Sequence, residues 1–287
     1  MLFAPQIAPL TDDEFGRVCR FIYKKSGIVL SMNKKNMVYN RLLKRLRDCN
    51  TGTFSEYLRM LEREPMHPEW QAFINALTTN LTAFFREPHH FQTLTEFIRS
   101  RRDQPINIWC AASSTGEEPY SIAMTLSDVL GQNALNAKVI ASDIDTEVLE
   151  KARKGVYRLE ELKNMNALQR QRYFMKGVGE YEGYARIKPA LSRMVDFRLL
   201  NLTDTDWQFQ GQFDAIFCRN VMIYFDKEMQ KQLLERFIPL LKPDGLLFIG
   251  HSENLSQLSQ RYVIRGQTVY SVQAAGRGDE KNKSTLR

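Results

Sequence analysis

Phe213-Asp214-Ala215-Ile216-Phe217-Cys218-Arg219-Asn220-Val221-Met222-Ile223-Tyr224 changes character halfway along its length. Phe213, Ala215, Ile216 and Phe217 form a short apolar run suited to a strand buried on both faces of a sheet. Arg219, Asn220 and Tyr224 follow where that strand should end. In open α/β sheets the ligand crevice lies just outside the carboxyl ends of the strands, so this segment is expected to deliver three groups to a site. A polar loop leaving a strand would look the same, and the flanking segments have to decide.

From about residue 105 strands alternate with helices, the pattern of a parallel sheet. Residues 106–111, 138–142, 195–199, 213–218 and 246–249 read as strands. Residues 119–130, 146–153 and about 226–241 read as helices, and 262–265 with 268–272 as a hairpin turning at Gly266-Gln267. Residues 155–193 break the alternation with a polar helix-like part and a Gly-rich part around Gly177-Val178-Gly179, as an inserted subdomain would. Before residue 80 the pattern is helical. Thr11 with Glu14 and Thr53 with Glu56 have the spacing of capping boxes. Apolar stripes at i, i+3, i+4 and i+7 follow, among them Trp70, Phe73, Ile74 and Leu77. The expected organisation is a helical domain over 1–79, a linker and cleft segment over 80–104, a sheet domain over 105–275, and a polar tail over 276–287.

The chain has 287 residues, 43% hydrophobic and 25% charged, and can bury a sizeable core. No apolar run approaches the roughly 20 residues of a membrane span, and the first residues lack the pattern of a signal peptide. Cys19, Cys49, Cys110 and Cys218 are scattered without paired spacing, as small buried hydrophobes of a reducing compartment would be. A cytoplasmic protein is expected. The net charge is +7, yet residues 24–47 alone hold eight basic side chains and no acidic one. Arg41, Lys44, Arg45 and Arg47 lie opposite the apolar stripe of the helix near 36–47. A solvated face, a nucleic-acid surface or a docking surface for an acidic protein helix would each account for them.

Three further places carry candidate chemistry. Ser113-Ser114-Thr115-Gly116-Glu117-Glu118-Pro119 follows the first strand where a dinucleotide fingerprint would stand, but Gly-x-Gly-x-x-Gly is missing and two carboxylates face the place of a phosphate. Asp143 closes the second strand 27 residues beyond Gly116, the position of a ribose-binding acid, while Asp145 suits a helix cap. An acidic turn beside a ribose acid points to a ligand with an adenosine end and a cationic end, the character of S-adenosylmethionine. Asn80, Thr82 and Arg86 sit in the linker, where they can line a cleft. His89-His90 has no evident carboxylate partner and reads as structural, so no metal site is expected. His251-Ser252-Glu253-Asn254 stands at the same edge and fits either a secondary element of the site or turn chemistry.

Thr79-Asn-Leu-Thr-Ala-Phe-Phe-Arg86, Ser114-Thr-Gly-Glu-Glu-Pro-Tyr-Ser121, Ala141-Ser-Asp-Ile-Asp145 and Phe213–Phe225 together make the chain resemble the bacterial chemotaxis receptor methyltransferases from about residue 12 to 272. The resemblance implies an all-α domain joined to a class I S-adenosylmethionine-dependent methyltransferase domain with a small antiparallel β-subdomain inserted. It implies transfer of methyl groups to glutamate carboxylates of chemoreceptors, giving glutamyl methyl esters and S-adenosylhomocysteine. Cofactor contacts are implied for Asn80, Thr82, Arg86, Glu118, Asp143, Asn201, Leu202, Arg219 and Asn220, with little to separate Glu118 from Glu117. Arg86 and Tyr224 are implied near the transferred methyl group. Arg41, Lys44, Arg45 and Arg47 are implied to meet the receptor helix, and the subdomain to take a receptor's C-terminal peptide as an edge strand. Neither nucleic-acid binding nor membrane insertion is implied. Two rivals stay in view: a nucleic-acid methyltransferase, faintly suggested by Asn220-x-x-x-Tyr224 and the basic charge, and a nonenzymatic module that senses S-adenosylmethionine or docks to receptors.

Overall fold

The structure is a computed structural model that describes residues 8–253, 255 and 258–273. The expected 276–287 tail and the candidate Asn254 lie outside the described residues.

The N-terminal part is a helical bundle. The Thr11 hydroxyl accepts from Glu14 N while the Glu14 carboxylate accepts from Thr11 N, and this reciprocal cap starts α1 (Asp12–Ser26). Then come α2 (Lys35–Asp48), α3 (Phe54–Arg63) and α4 (Glu69–Leu77). Thr53 caps α3 at Glu56 N, but Glu56 reaches Gly52 N rather than Thr53 N, so the second expected box closes one residue early. Phe15, Val18, Ile22, Val38, Leu42, Leu46, Tyr57 and Phe73 meet in one core. The expected four-helix pattern is present because each stripe recurs at the helical period.

The segment expected as a linker contains α5 (Pro88–Arg99), whose Phe91, Leu94 and Ile98 are buried against the sheet. Pro88 at the first helical position fits that start, since its missing N–H would have no partner there. The sheet strands are β1 (Ile106–Cys110), β2 (Ala137–Asp143), β6 (Val195–Leu199), β7 (Phe213–Cys218), β8 (Leu241–Ile249), β9 (Tyr262–Gly266) and β10 (Val269–Val272). Their order is β6-β2-β1-β7-β8-β10-β9, parallel except that β10 runs antiparallel to both neighbours. β8 starts earlier than expected, at Leu241, because the helix before it stops sooner: α10 (Lys227–Phe237) gives way to a short 3-10 turn over Ile238–Leu240. The hairpin turns at Gln267-Thr268, with Thr268 at φ 53.

Successive residues of the central strands face opposite layers. Ile108, Cys110, Ala215 and Phe217 join one core with α5 and α6 (Glu117–Leu130), while Trp109, Ile216 and Cys218 join another with α10. Burial on both faces explains why these strands read as plain apolar runs. α7 (Thr146–Lys154) begins at Asp145, whose carboxylate accepts from Glu147 N and Val148 N.

The insert holds β3 (Val156–Arg158), α8 (Ala167–Tyr173), β4 (Phe174–Lys176), β5 (Tyr184–Ile187) and α9 (Pro189–Ser192). Its three strands form a separate antiparallel sheet in the order β3-β5-β4. Phe84 anchors this unit, meeting Tyr157 edge-on at 4.9 Å and Phe174 at 5.5 Å between ring centres. Gly116, at φ 99, sits under it: a Cβ there would lie 2.7 Å from the Tyr157 hydroxyl oxygen. The glycine of the first turn therefore leaves room for the insert to pack.

Candidate active site

β1 is the point where the strand order turns, with β2 on one side and β7 on the other. Ligand crevices form at such switch points. Here the cavity runs from the ends of β1, β2 and β7 across to the helical domain, about 1280 Å³ counting its open mouth. Asn80, Leu81, Thr82 and Arg86 from the linker line it, as do Ser114, Glu118, Asp143, Asn201, Leu202, Arg219, Asn220 and Tyr224. Every residue expected to touch the cofactor or the methyl group is thus brought to one cavity. The structure also separates the two glutamates: Glu118 lines the cavity, whereas Glu117 is buried and accepts from the Thr115 hydroxyl at 2.6 Å.

Arg219 is the first residue past β7, with its side chain only 1% exposed. It pairs with Glu118 through Nη1, lies 3.3 Å from Glu87 Oε2, and donates through Nη2 to the Arg86 carbonyl at 2.7 Å. Burial alone would raise Glu87, but the hydrogen bond with His251 and the Arg219 charge hold its carboxyl down at about 2. Arg86 is flanked by two non-glycine residues in the left-handed region, Phe85 at φ 52 and Glu87 at φ 58. Ser114 (φ 47) and Asn220 (φ 58), on the same cavity, share this conformation. Such strain gathers at functional sites and persists only where surrounding contacts hold it. For Asn220 the holder is Glu253, whose buried carboxylate accepts from the N–H groups of Gly250, Asn220 and Met222. Glu253 is therefore a turn-shaping group.

Asp143 accepts from Ser114 N at 2.8 Å and from Asp145 N at 3.0 Å. Burial nonetheless pushes its carboxyl up to about 6. Asn80 donates to Asp145 at 2.8 Å, and its carbonyl accepts from the Ser114 hydroxyl. Asn201 donates to the Lys25 carbonyl at 2.7 Å and accepts from Thr203, so it ties the sheet domain to the end of α1. One wall was not expected at all. Ile28, Val29, Leu30 and Ser31, between α1 and α2, line the cavity, and Val29 N donates to the Tyr224 carbonyl at 2.8 Å. Its only sequence signal was an apolar run too short for any element.

The basic helix is less uniform than its sequence. Arg41 donates to the Thr78 carbonyl at 2.5 Å, and Arg45 grips buried Glu69 through two bonds of 2.8 and 2.6 Å. Two of the four residues expected to dock a receptor are thus engaged within the helical domain, because α4 places an acid and carbonyls beside them. Lys44 and Arg47 are exposed. The histidines do have a carboxylate neighbour that the sequence did not show: ligand atoms of Glu87, His89 and His90 lie within 4.8 Å of one another. His90 is fully buried, pushed down to about 3 by burial and by Arg219, and its Nε2 meets Thr268 Oγ1 at 2.9 Å. Cys110 and Cys218 are buried as expected, whereas Cys19 and Cys49 are only partly so. Among the described residues no helix is long and apolar enough to cross a membrane.

S-adenosylmethionine fits these donors. Asp143 faces the cavity desolvated, as an acceptor for a diol would. Arg219 Nε is a buried N–H without a partner among the described residues, suited to a carboxylate. Glu118 has lone pairs to spare for an ammonium, since a carboxylate has about four. A pyrophosphate would meet carboxylates where it needs positive charge. Numbered within the large sheet alone, the strands run 3-2-1-4-5-7-6 with the seventh reversed. This fold and site define a class I S-adenosylmethionine-dependent methyltransferase. Residues 13–78 match the family described as "CheR methyltransferase, all-alpha domain", and residues 80–271 match "CheR methyltransferase, SAM binding domain". The chain belongs to the CheR methyltransferase family.

Its relatives agree over nearly the full length. The chain is 57% identical over 272 residues to the chemotaxis protein methyltransferase of Salmonella typhimurium (strain LT2), covering 95% of this chain and 94% of that protein. It is 58% identical over 263 residues to that of Escherichia coli (strain K12), covering 92% of each. Chemotaxis protein methyltransferase 2 of Pseudomonas aeruginosa is 51% identical over 272 residues, covering 94% of this chain and 96% of that protein.

Proposed function

We propose that this enzyme methylates glutamate carboxylates on the cytoplasmic part of chemoreceptors, forming glutamyl methyl esters. The observation that carries the reading is the meeting of Arg86 and Tyr224 on the cavity that also holds Asp143, Glu118 and Arg219, in a family whose named relatives are chemotaxis methyltransferases. S-adenosylmethionine, when bound, supplies a methyl group on a sulfonium sulfur. Asp143 would hold its ribose hydroxyls, Asn201 and Leu202 would border its adenine, and Glu118, Arg219 and Asn220 would hold its amino-acid end with Asn80 and Thr82. A glutamate, with an ordinary pKa near 4.3, is already ionised at neutral pH. The site therefore needs no general base. What remains is alignment and exclusion of water. Arg86 holds the nonreacting carboxylate oxygen, and Tyr224 orients the methyl group. Lys44 and Arg47 steer the acidic receptor helix.

The insert adds a second contact. β4 is an edge strand; its Met175 is exposed, as are Val178 and Tyr181 just after it. An extended receptor C-terminal peptide would pair with that edge and set alternate side chains on these residues.

Incubation with S-adenosylmethionine labelled in the methyl group and with receptor membranes should place base-labile label on the receptor. Arg86→Ala should lower the rate by about 10²-fold, as loss of one positioning charge does, and Tyr224→Phe by about tenfold. Wild-type turnover in both variants would overturn these roles.

A further inference from the structure

We propose that Leu81 and Val29 form an apolar lip that receives the apolar neighbours of the reacting glutamate, and so select which glutamates are methylated. This rests on the receptor reading above. Both side chains line the cavity, yet Leu81 is 81% exposed and Val29 49%. Single exposed hydrophobes are ordinary; two that share the mouth of one cavity are not explained by the core. Leu81 stands alone in the polar run Thr78-Thr79-Asn80-Leu81-Thr82. Each is fixed to a residue of the reacting end. Arg86 Nη1 donates to the Leu81 carbonyl at 2.8 Å, and Val29 N donates to the Tyr224 carbonyl at 2.8 Å. The lip therefore keeps a set position relative to the place of transfer.

The occupant follows from reach and charge. A glutamate side chain is short, so the helix that carries it must press its backbone against the mouth. Residues three and four positions away share its face at a rise of about 1.5 Å each, and these are what the lip meets. Lys34, exposed and lining the same mouth, favours acidic residues beside them and disfavours basic ones. The surface thus fits an amphipathic acidic helix with an apolar residue three or four positions from the target glutamate.

The test uses the full-length enzyme and a receptor cytoplasmic fragment with one reactive glutamate. Leu81→Ser and Val29→Ser should each raise the KM for the fragment about tenfold, the scale of one lost apolar anchor, while calorimetry shows unchanged affinity for S-adenosylhomocysteine. Replacing the fragment's apolar residue four positions from the glutamate with Ser should raise KM for the wild-type enzyme but add little for Leu81→Ser, because the two changes remove one contact. Label on the fragment from the wild type with KM unmoved in both variants overturns the lip and leaves the receptor reading standing. A matching loss of S-adenosylhomocysteine affinity also overturns it, since the variants would then have damaged the cofactor site. No label from the wild type overturns both readings.

Discussion

Arg219 Nη2 donates to the backbone carbonyl of Arg86 at 2.7 Å, so the residue that leaves the central strand holds the residue the linker offers to the cavity. The same guanidinium sits between Glu118 and Glu87 with almost no exposure. Two left-handed residues on either side of Arg86 are kept in place by this clamp.

Removing the cation alone should therefore be costly. Arg219→Met takes the shared cation from buried Glu118 and half-buried Glu87, and breaking a buried pair from one side costs about 3–5 kcal/mol. At about 2–4 °C per kcal/mol for a chain of this size, the thermal midpoint should fall by roughly 10 °C. Arg219→Lys should recover part of the stability but little activity, because a point charge cannot serve both carboxylates and the Arg86 carbonyl together. Calorimetric melting checks the first expectation, and a midpoint within about 2 °C of the wild type would remove the clamp from the account.

Asp143 gives a pH dependence of definite sign. Its folded carboxyl is raised to about 6 against an ordinary value near 4. Between those values the unfolded chain has lost a proton that the folded chain keeps, so this group makes stability fall as pH rises from about 4 to 6. Binding runs the other way. A ribose diol donates to the ionised form, so affinity for S-adenosylhomocysteine should rise with pH and level off above about 6. One unit below that value, at about pH 5, it should be roughly tenfold weaker. Asp143→Asn should bind weakly at every pH and lose the slope. Titration calorimetry between about pH 5 and 7.5 decides, and an unchanged slope in the Asn variant would place the proton elsewhere.

The sequence revealed what is local or periodic. β1, β2 and β7 announced themselves as apolar runs because both their faces are covered, and α1 through its reciprocal cap. Asp143 and Arg219 were legible from their places at strand ends. Contacts across the chain were not. Glu69 stands 24 residues from Arg45 and gives no local sign of capturing it. Glu253 holds the Asn220 turn from 33 residues away, and Gly116 answers to Tyr157 on another element. The wall from Ile28 to Ser31 exists only because two domains meet there. α5 was hidden by a proline and paired histidines that resemble a loop, although Phe91, Leu94 and Ile98 already carried a helical stripe.

The division within α2 leads to opposite phenotypes for neighbouring charges. Lys44 and Arg47 are exposed one helical turn apart, so reversing both, Lys44→Glu with Arg47→Glu, should leave melting unchanged. It should raise the receptor KM about tenfold at low salt, as loss of steering charges does. That penalty should shrink near 0.5 M salt, where charges are screened beyond about 4–5 Å. Arg45→Ala should instead lower the melting temperature, because Glu69 would stay buried against Tyr57 without its cation. Its effect on receptor KM should be small and independent of salt. Kinetics at two ionic strengths beside melting curves separate the two. An Arg45→Ala enzyme that melts like the wild type but binds receptor poorly in low salt would return Arg45 to the docking surface.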